Sequence, residues 1–291
     1  MTASKWHPST YIAISTADNL KLTRSAMDVQ EVFKDSMLTL QNHLIFIDAY
    51  PDSNPQEKFS FLKKILLNEA EVEAPKVFDR LKQDPEYLKV FTESLETRVS
   101  LFRNKFKTAA AARTLGHYSL EGEKSFEYVN ELLNRKRYIY PGNIKKGKFE
   151  TNKLYEHAIF TDVLSDILLS GRKHSLLSRH QDAFTVTWQG DTNQEIPKSL
   201  LALVATAIHA SLCDAKFKGT KPAKFTAEEF SSVYTTHIGV LTRLEETCPR
   251  AYHHLLEQLF SKAVNTATHT YGDPDVDNIF NDLDLDGIEE N

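Results

Sequence analysis

Glycine and proline are scarce in this sequence. Each occurs 10 times in 291 residues, which is roughly half the usual share of either residue. Hairpin-rich sandwiches, collagen-like chains and low-complexity Pro/Gly segments need more of both and are disfavoured. Because 41% of the residues are hydrophobic, the chain can bury a sizeable core. The sequence therefore favours an all-α fold, which we expect to be an irregular multi-helix bundle.

Cysteines and long hydrophobic runs are also lacking. Cys213 and Cys248 are the two cysteines and form no Cys-x-x-Cys pair, which excludes a disulfide framework and a four-thiolate zinc site. The longest apolar candidate, residues 199–213, is shorter than the roughly 18 residues of a membrane span. No signal peptide or lipidation motif is visible. We expect an intracellular protein, nuclear or cytoplasmic, that does not contact a membrane.

Acidic residues are concentrated near the end of the sequence. The net charge is −5, but residues 272–291 contain eight acidic and no basic residues, whereas residues 1–271 contain 35 basic and 32 acidic residues. Apolar residues alternate with these carboxylates: Ile279, Phe280, Leu283, Leu285 and Ile288. Such segments are disordered when free and can fold onto a partner. We predict a disordered acidic tail over residues 271–291 that binds a protein partner, solubilises the chain or folds back onto a basic loop.

Apolar residues recur every three to four positions along most of the chain, which is typical of amphipathic helices. Pro85 fits the first turn of one of them, and Gly116 fits its end. The predicted helices cover residues 25–47, 56–69, 85–112 and 125–135. Because no internal repeat or long linker is visible, we expect one helical domain over residues 25–270 after an arm of residues 1–24, with a hinge near Pro141 as the alternative division.

A helix start at Ala227 is the strongest local signal. Thr226 and Glu229 have the spacing of a capping box. Phe225 and Phe230 occupy the two positions of a hydrophobic staple. Both motifs place the first helical residue at the same position.

A helical hairpin and a central helix are predicted on either side of this start. The helix from Ala227 ends at Cys248, and Pro249 fits the first turn of the next helix. Residues 198–214 enclose an uncharged stretch that is apolar nearly all round, which indicates a helix buried at the centre of a bundle. The strand candidate, residues 184–188, alternates apolar and polar side chains and would be short and isolated.

Sequence motifs of several enzyme classes are missing. We find no glycine fingerprint for a dinucleotide, no Gly-x-Ser-x-Gly, and neither His-Glu-x-x-His nor Glu-x-x-His. Residues 142–149 have the glycines and lysine of a phosphate-binding loop. However, Phe149 stands where that loop needs a hydroxyl for magnesium, and no parallel sheet is predicted. The sequence therefore indicates no cofactor and no catalytic residue.

Three histidines face inward on predicted helices: His157, His209 and His237. Projection at about 100° per residue places His237 in the middle of an apolar stripe. Imidazoles from facing helices can bind zinc or iron, so a metal-dependent enzyme is one hypothesis. We favour the alternative that these are core histidines bonded to backbone carbonyls or to tyrosines, with candidate partners Tyr155, Tyr234 and Tyr252.

The basic segment, residues 134–153, is the best candidate for binding nucleic acid. It contains one acidic residue, Glu150, and seven cationic ones: Arg135, Lys136, Arg137, Lys145, Lys146, Lys148 and Lys153. Tyr138, Tyr140 and Phe149 are interleaved with them. Basic groups neutralise phosphates, and aromatic faces stack on bases. A solvated loop is the alternative, because no known binding module and no globally basic body accompany the segment.

The C-terminal half resembles a known family. The residues that carry the resemblance are Ala-Leu-Val-Ala-Thr-Ala-Ile-His over 202–209, Tyr-x-x-His over 234–237 and Pro-Arg-Ala-Tyr over 249–252. They are similar to the helical block of a family of basidiomycete fungal proteins known as a domain of unknown function, over residues 152–267. The resemblance implies an α-helical domain in a fungal intracellular setting and implies no activity or ligand.

These observations favour a non-catalytic interaction or regulatory protein that contacts a protein partner through the acidic tail. The first alternative is a nucleic-acid-associated regulator that uses the basic segment. The second alternative is a metal-dependent enzyme with a site at the three histidines.

Overall fold

The computed structural model describes residues 5–14, 20–51, 55–171, 175–216, 222 and 224–271. Ten α-helices make up most of these described residues, and four short strands form two hairpins. The helices are α1 (Met27–Phe46), α2 (Pro55–Glu73), α3 (Pro75–Gln83), α4 (Pro85–His117), α5 (Ser125–Leu133), α6 (Ala158–Leu169), α7 (Leu176–His180), α8 (Lys198–Lys216), α9 (Ala227–Thr247) and α10 (Pro249–Tyr271). The strands are β1 (Gly142–Asn143), β2 (Lys148–Phe149), β3 (Thr185–Trp188) and β4 (Asp191–Gln194). The predicted all-α class is confirmed.

The N-terminal helices pack around the long helix α4, which contacts α1, α2, α6 and α8. Asp84 caps α4 by accepting the Tyr87 N–H at 3.2 Å, and Pro85 occupies the first turn as predicted. The predictions for α1, α2, α4 and α5 are confirmed to within a few residues. Helix α3 was missed, although Pro75 carries the same first-turn signal as Pro85.

Helix α8 forms the centre of the fold, as its composition predicts. Leucine, alanine and valine side chains on all of its faces are fully buried from Leu200 to Ile208. It contacts α4, α9, α5 and α1. Among the described helices, α8 is the one long and apolar enough to cross a membrane, but 72% of that window is buried inside the fold. Burial of this extent is typical of a helix at the centre of a folded core.

Helices α9 and α10 form the predicted hairpin, with the break at Cys248. The staple is present, because the Phe225 and Phe230 ring centroids lie 5.3 Å apart. Helix α9 begins at Ala227 as expected, but the Thr226 side chain makes no capping hydrogen bond. The hydrophobic contact therefore fixes this helix start without the side-chain bond of the capping box.

The predicted strand at residues 184–188 is present but not isolated. Strand β3 pairs antiparallel with β4 in a register that places Trp188 opposite Asp191. The two-residue turn between them has positive φ at Gln189 (51°) and Gly190 (92°), the backbone that tight hairpins require. The partner strand was missed because its sequence, Asp-Thr-Asn-Gln, has no apolar alternation.

Most of the predicted N-terminal arm belongs to the described residues, whereas the acidic tail does not. Residues of the predicted N-terminal arm pack on α1 and α3 through a short turn at Pro8–Thr10, and Arg80 donates a hydrogen bond from Nη1 to the Thr10 carbonyl at 3.1 Å. The tail residues 272–291, with the proposed partner-binding side chains from Ile279 to Ile288, lie outside the described residues.

Candidate functional site

Residues 141–150 form a compact hairpin, here called the basic hairpin. Gly142 pairs with Phe149, and Asn143 pairs with Lys148. The Glu150 N–H donates to the Pro141 carbonyl at 2.8 Å and closes the base. Asn143 Oδ1 accepts the Lys146 N–H at 3.1 Å and orders the turn.

Gly142 is required for this close pairing. A Cβ atom at this position would lie 2.4 Å from the Lys148 carbonyl oxygen and 2.9 Å from Phe149 Cα. Both atoms belong to the backbone of the opposite strand and cannot move without opening the hairpin. The glycine that suggested a phosphate-binding loop in the sequence therefore serves strand pairing.

Five of the seven predicted cations have no acidic partner among the described side chains. Arg137 forms an ion pair with Glu131, and Lys153 pairs with Glu150 at 2.6 Å. The remaining five make no such pair: Arg135, Lys136, Lys145, Lys146 and Lys148. All of these except the half-buried Lys136 are exposed. Cationic side chains without acidic partners create a positive potential that attracts an anionic ligand.

A cavity of about 170 Å³, here called the hairpin pocket, lies between the basic hairpin and the facing ends of α4 and α6. Tyr118 stacks on His157 with ring centroids 4.5 Å apart and forms one wall. Tyr140 and Phe149 line the pocket from the hairpin side, together with Asn143, Ile144 and Lys145. The pocket thus combines aromatic and polar walls with Lys145, one of the cations that have no acidic partner among the described side chains.

His157 lies at the start of α6 and not inside a helix, which corrects the prediction. Its Nδ1 accepts the Ile159 N–H at 3.3 Å and caps the helix. Burial, and then the nearby His117 ring, lowers the pKa of His157 to about 4. The ring is therefore neutral at pH 7 and, since Nδ1 is an acceptor, carries its proton on Nε2. Among the described residues no hydrogen bond to Nε2 is found, so this N–H can donate to a ligand.

His117 supports the same pocket from the end of α4. Its Nε2 lies 2.8 Å from Asp162 Oδ2, and its ring lies 6.0 Å from that of His157. Sequence reasoning missed this pair, because His117 and Asp162 lie 45 positions apart and neither belongs to a motif.

His237 points into the core as predicted and is completely buried. Its two ring nitrogens bond to tyrosine hydroxyls: Nε2 to Tyr138 at 2.7 Å and Nδ1 to Tyr155 at 2.8 Å. Burial lowers the pKa of His237 to about 3, and the charges of Lys136 and His209 add to this effect. The histidine is therefore a neutral hydrogen-bonding centre of the core, and Tyr155 was correctly named as a partner.

Tyr138 was expected on the surface of the basic segment, and this expectation was wrong. The side chain is completely buried and bonds to His237, while its backbone carbonyl accepts the Tyr118 hydroxyl at 2.7 Å. Arg135 and Lys136 cause the difference, because both adopt positive φ (48° and 54°) and turn the chain inward. Tyr140 and Phe149 therefore remain as aromatic residues of the basic segment that line the hairpin pocket, and the Arg137 guanidinium lies over the Phe149 ring at 5.6 Å.

The three histidines do not converge on one point. His209 and His237 both contact the Tyr138 ring, with centroid distances of 5.7 and 5.9 Å, whereas His157 stacks on Tyr118 in the hairpin pocket. Burial lowers the pKa of His209 to about 4, and its Nδ1 has no partner. Within the described ranges, no group of three His, Cys, Asp or Glu side chains is arranged to hold a metal.

A second, larger cavity of about 840 Å³ lies between the β3–β4 turn and the start of α10. Trp188 stacks on His253 at 4.6 Å, and Glu195 accepts a bond from His253 Nδ1 at 2.9 Å. Burial raises the pKa of Glu195. This hydrogen bond ties Glu195, the residue after β4, to α10.

Comparison with known proteins gives a family but no activity. Residues 35–244 match a domain of unknown function (DUF6532). The match covers well over half of the chain, so the chain belongs to this family. The expectation of an uncharacterised family is confirmed; the match includes residues 202–209 and 234–237 and ends before residues 249–252. No curated protein and no solved structure matches the chain.

Proposed function

We propose that this member of an uncharacterised domain family is a non-catalytic interaction protein that binds nucleic acid through the basic hairpin. The supporting observation is a set of exposed cations without an acidic partner among the described side chains: Lys145, Lys146 and Lys148 in the hairpin that lines an aromatic pocket, and Arg135 before it in the chain. Each such cation can neutralise a phosphate and release a counterion. Aromatic side chains between cations are what base stacking requires.

An anionic membrane is the competing partner for a basic surface. Membrane-surface binding combines cations with exposed apolar side chains that enter the headgroup region. In the basic hairpin, Ile144 and Phe149 are half-buried and pack towards the core. The turn residues Lys145 to Lys148 contain no apolar side chain. These features favour the phosphate backbone of a nucleic acid over a lipid surface as the partner.

The cellular setting belongs to the same proposal. An intracellular location, in nucleus or cytoplasm, would give the protein access to nucleic acid, and a basidiomycete origin is what the resemblance implies. Binding of a protein partner through the acidic tail stays a separate prediction.

The salt dependence of binding tests the proposal. We would titrate the full chain into a fluorescent single-stranded oligonucleotide of about 16 nucleotides and measure anisotropy. Four neutralised phosphates predict a log–log slope of about −3, or a roughly 50-fold loss of affinity between about 50 and 200 mM salt. Joint replacement of Arg135, Lys145, Lys146 and Lys148 by Gln should bring the slope close to zero.

A second quadruple variant controls for net charge. Lys34, Lys64, Lys76 and Lys105 are exposed lysines on α1, α2, α3 and α4, and their joint replacement by Gln should leave the slope unchanged. Equal losses in the two variants, no binding at about 50 mM salt, or preferential binding to phosphatidylserine vesicles would each contradict the proposal.

A further inference from the structure

We infer that the hairpin pocket takes one unpaired base of a single-stranded nucleic acid, while the phosphates of that strand lie outside along Lys145, Lys146 and Lys148. The inference rests on the proposed function and specifies the form of the nucleic acid. It follows from the size of the pocket, the chemistry of its walls and its position beside the cations.

The size of the pocket limits what can enter it. Its volume is about 170 Å³, below the roughly 300–1,000 Å³ of sites for drug-sized ligands. This size suits one small planar group better than a drug-sized ligand. We therefore expect a base to enter and its sugar and phosphate to remain outside, next to Lys145 in the pocket lining.

The walls supply a stacking surface. Tyr118 and His157 already stack on each other, so one face of each ring is occupied. Tyr140 is half-buried, lines the pocket and has no stacking partner among the described aromatic side chains. Base–aromatic stacking contributes about 1–3 kcal/mol per base and tolerates any sequence. Tyr140 is therefore the side chain on which we expect the base to stack.

Polar groups in the pocket match the edge of a base. His157 is neutral at pH 7 because its pKa is lowered to about 4, and its Nε2–H can donate to a ligand. The Asn143 amide nitrogen supplies two further donors, since its Oδ1 is already engaged by Lys146. Ring nitrogens and carbonyl oxygens of an unpaired base are the matching acceptors.

A duplex cannot make this contact without opening. Its bases are stacked and paired inside the helix, and removing one costs a few kcal/mol. The strands of the basic hairpin have two residues each, which is too short for a ribbon that reads a groove. A single strand with flexible, exposed bases meets neither obstacle.

Three probes with the same phosphate charge per strand test the inference: a single strand, its duplex and an abasic strand that lacks the bases. We expect the full chain to bind the single strand about tenfold more tightly than either other probe, which is about 1.4 kcal/mol. Tyr140→Ala should remove this advantage and leave abasic-strand binding unchanged. Tyr140→Phe keeps the ring and should keep most of the advantage.

The half-buried Tyr128 of α5 lies outside the pocket lining, and Tyr128→Ala is the matched control, with the melting temperature of each variant recorded. Equal affinity for all three probes would overturn the inference and leave the proposed function intact. A loss in Tyr140→Ala that is as large for the abasic strand would overturn it as well. If no probe binds at low salt, the proposed function itself fails.

Discussion

Helix α8 and the connecting segment, residues 118–157, meet at Tyr138 but are built in opposite ways. Helix α8 is regular, apolar on all sides and almost completely buried. The connecting segment has one α-helix, of nine residues. It contains four of the five described non-glycine residues with positive φ: Ser119, Arg135, Lys136 and Tyr155. The bundle core thus supports a strained segment that presents charge and a pocket.

The positive φ angles in the connecting segment cost free energy that the regular helix α8 does not lose. A left-handed backbone costs an L-residue about 1–2 kcal/mol, and Arg135 and Lys136 adopt it in succession. Burial of Tyr138 and its bond to His237 offset that cost. The result places the Arg135 side chain in solvent and the Tyr138 side chain in the core.

The largest effect we predict is acid destabilisation through the buried His237 and the half-buried His157 and His209. His157, His209 and His237 have folded-state pKa values of about 4, 4 and 3, below the unfolded value of about 6.5. Between these limits the unfolded chain binds more protons, so the free energy of unfolding falls as the pH is lowered. Each histidine should contribute a loss of about 2 kcal/mol between about pH 7 and pH 5.

Urea unfolding at a series of pH values measures this loss. His254→Gln serves as the control for replacing a histidine because His254 is exposed, and it should change the free energy of unfolding at about pH 7 by less than about 0.5 kcal/mol. A free energy of unfolding that stays level from about pH 7 to pH 5 would show that these histidines are not held neutral by the fold.

The next effect concerns the centre where the two regions meet. His237→Ala should lower the free energy of unfolding by about 4 kcal/mol, because it leaves a cavity and deprives the Tyr138 and Tyr155 hydroxyls of their partner. His254→Ala on α10 should cost less than about 0.5 kcal/mol. A loss below about 1 kcal/mol for His237→Ala would mean that this cluster does not anchor the connecting segment.

A smaller change in stability is expected when glycine is replaced by alanine, with opposite signs in the basic hairpin and in α9. Gly142→Ala should destabilise the protein by about 1–3 kcal/mol, because the added Cβ collides with the opposite strand. Gly239→Ala in α9 meets open space and should stabilise by about 0.5–1 kcal/mol. Thermal melts of both variants provide the comparison, and shifts in the same direction would argue against a close-packed hairpin.

The parts of the fold that the sequence predicts are those in which local pattern and burial agree. Helix α8 follows from its uncharged stretch, the start of α9 from the Phe225–Phe230 staple, and the inward direction of His237 from its place in an apolar stripe. In each case the helical period alone decides which side chains face the core.

The candidate site is predictable in composition but not in geometry. The cations of the basic segment are visible in the sequence, whereas the burial of Tyr138 depends on two positive-φ residues, Arg135 and Lys136, that no propensity would place there. The pocket also needs His117 and His157, which come together through the packing of α4 on α6. Such long-range contacts leave no trace in local spacing.

Ultraviolet cross-linking of a single-stranded oligonucleotide to the full chain, followed by mass spectrometry of the peptides, tests the central claim most directly. The account predicts cross-links at Tyr140, and their loss when Arg135, Lys145, Lys146 and Lys148 are replaced by Gln. Cross-links concentrated at Trp188, or scattered over the surface and unaffected by those replacements, would contradict it.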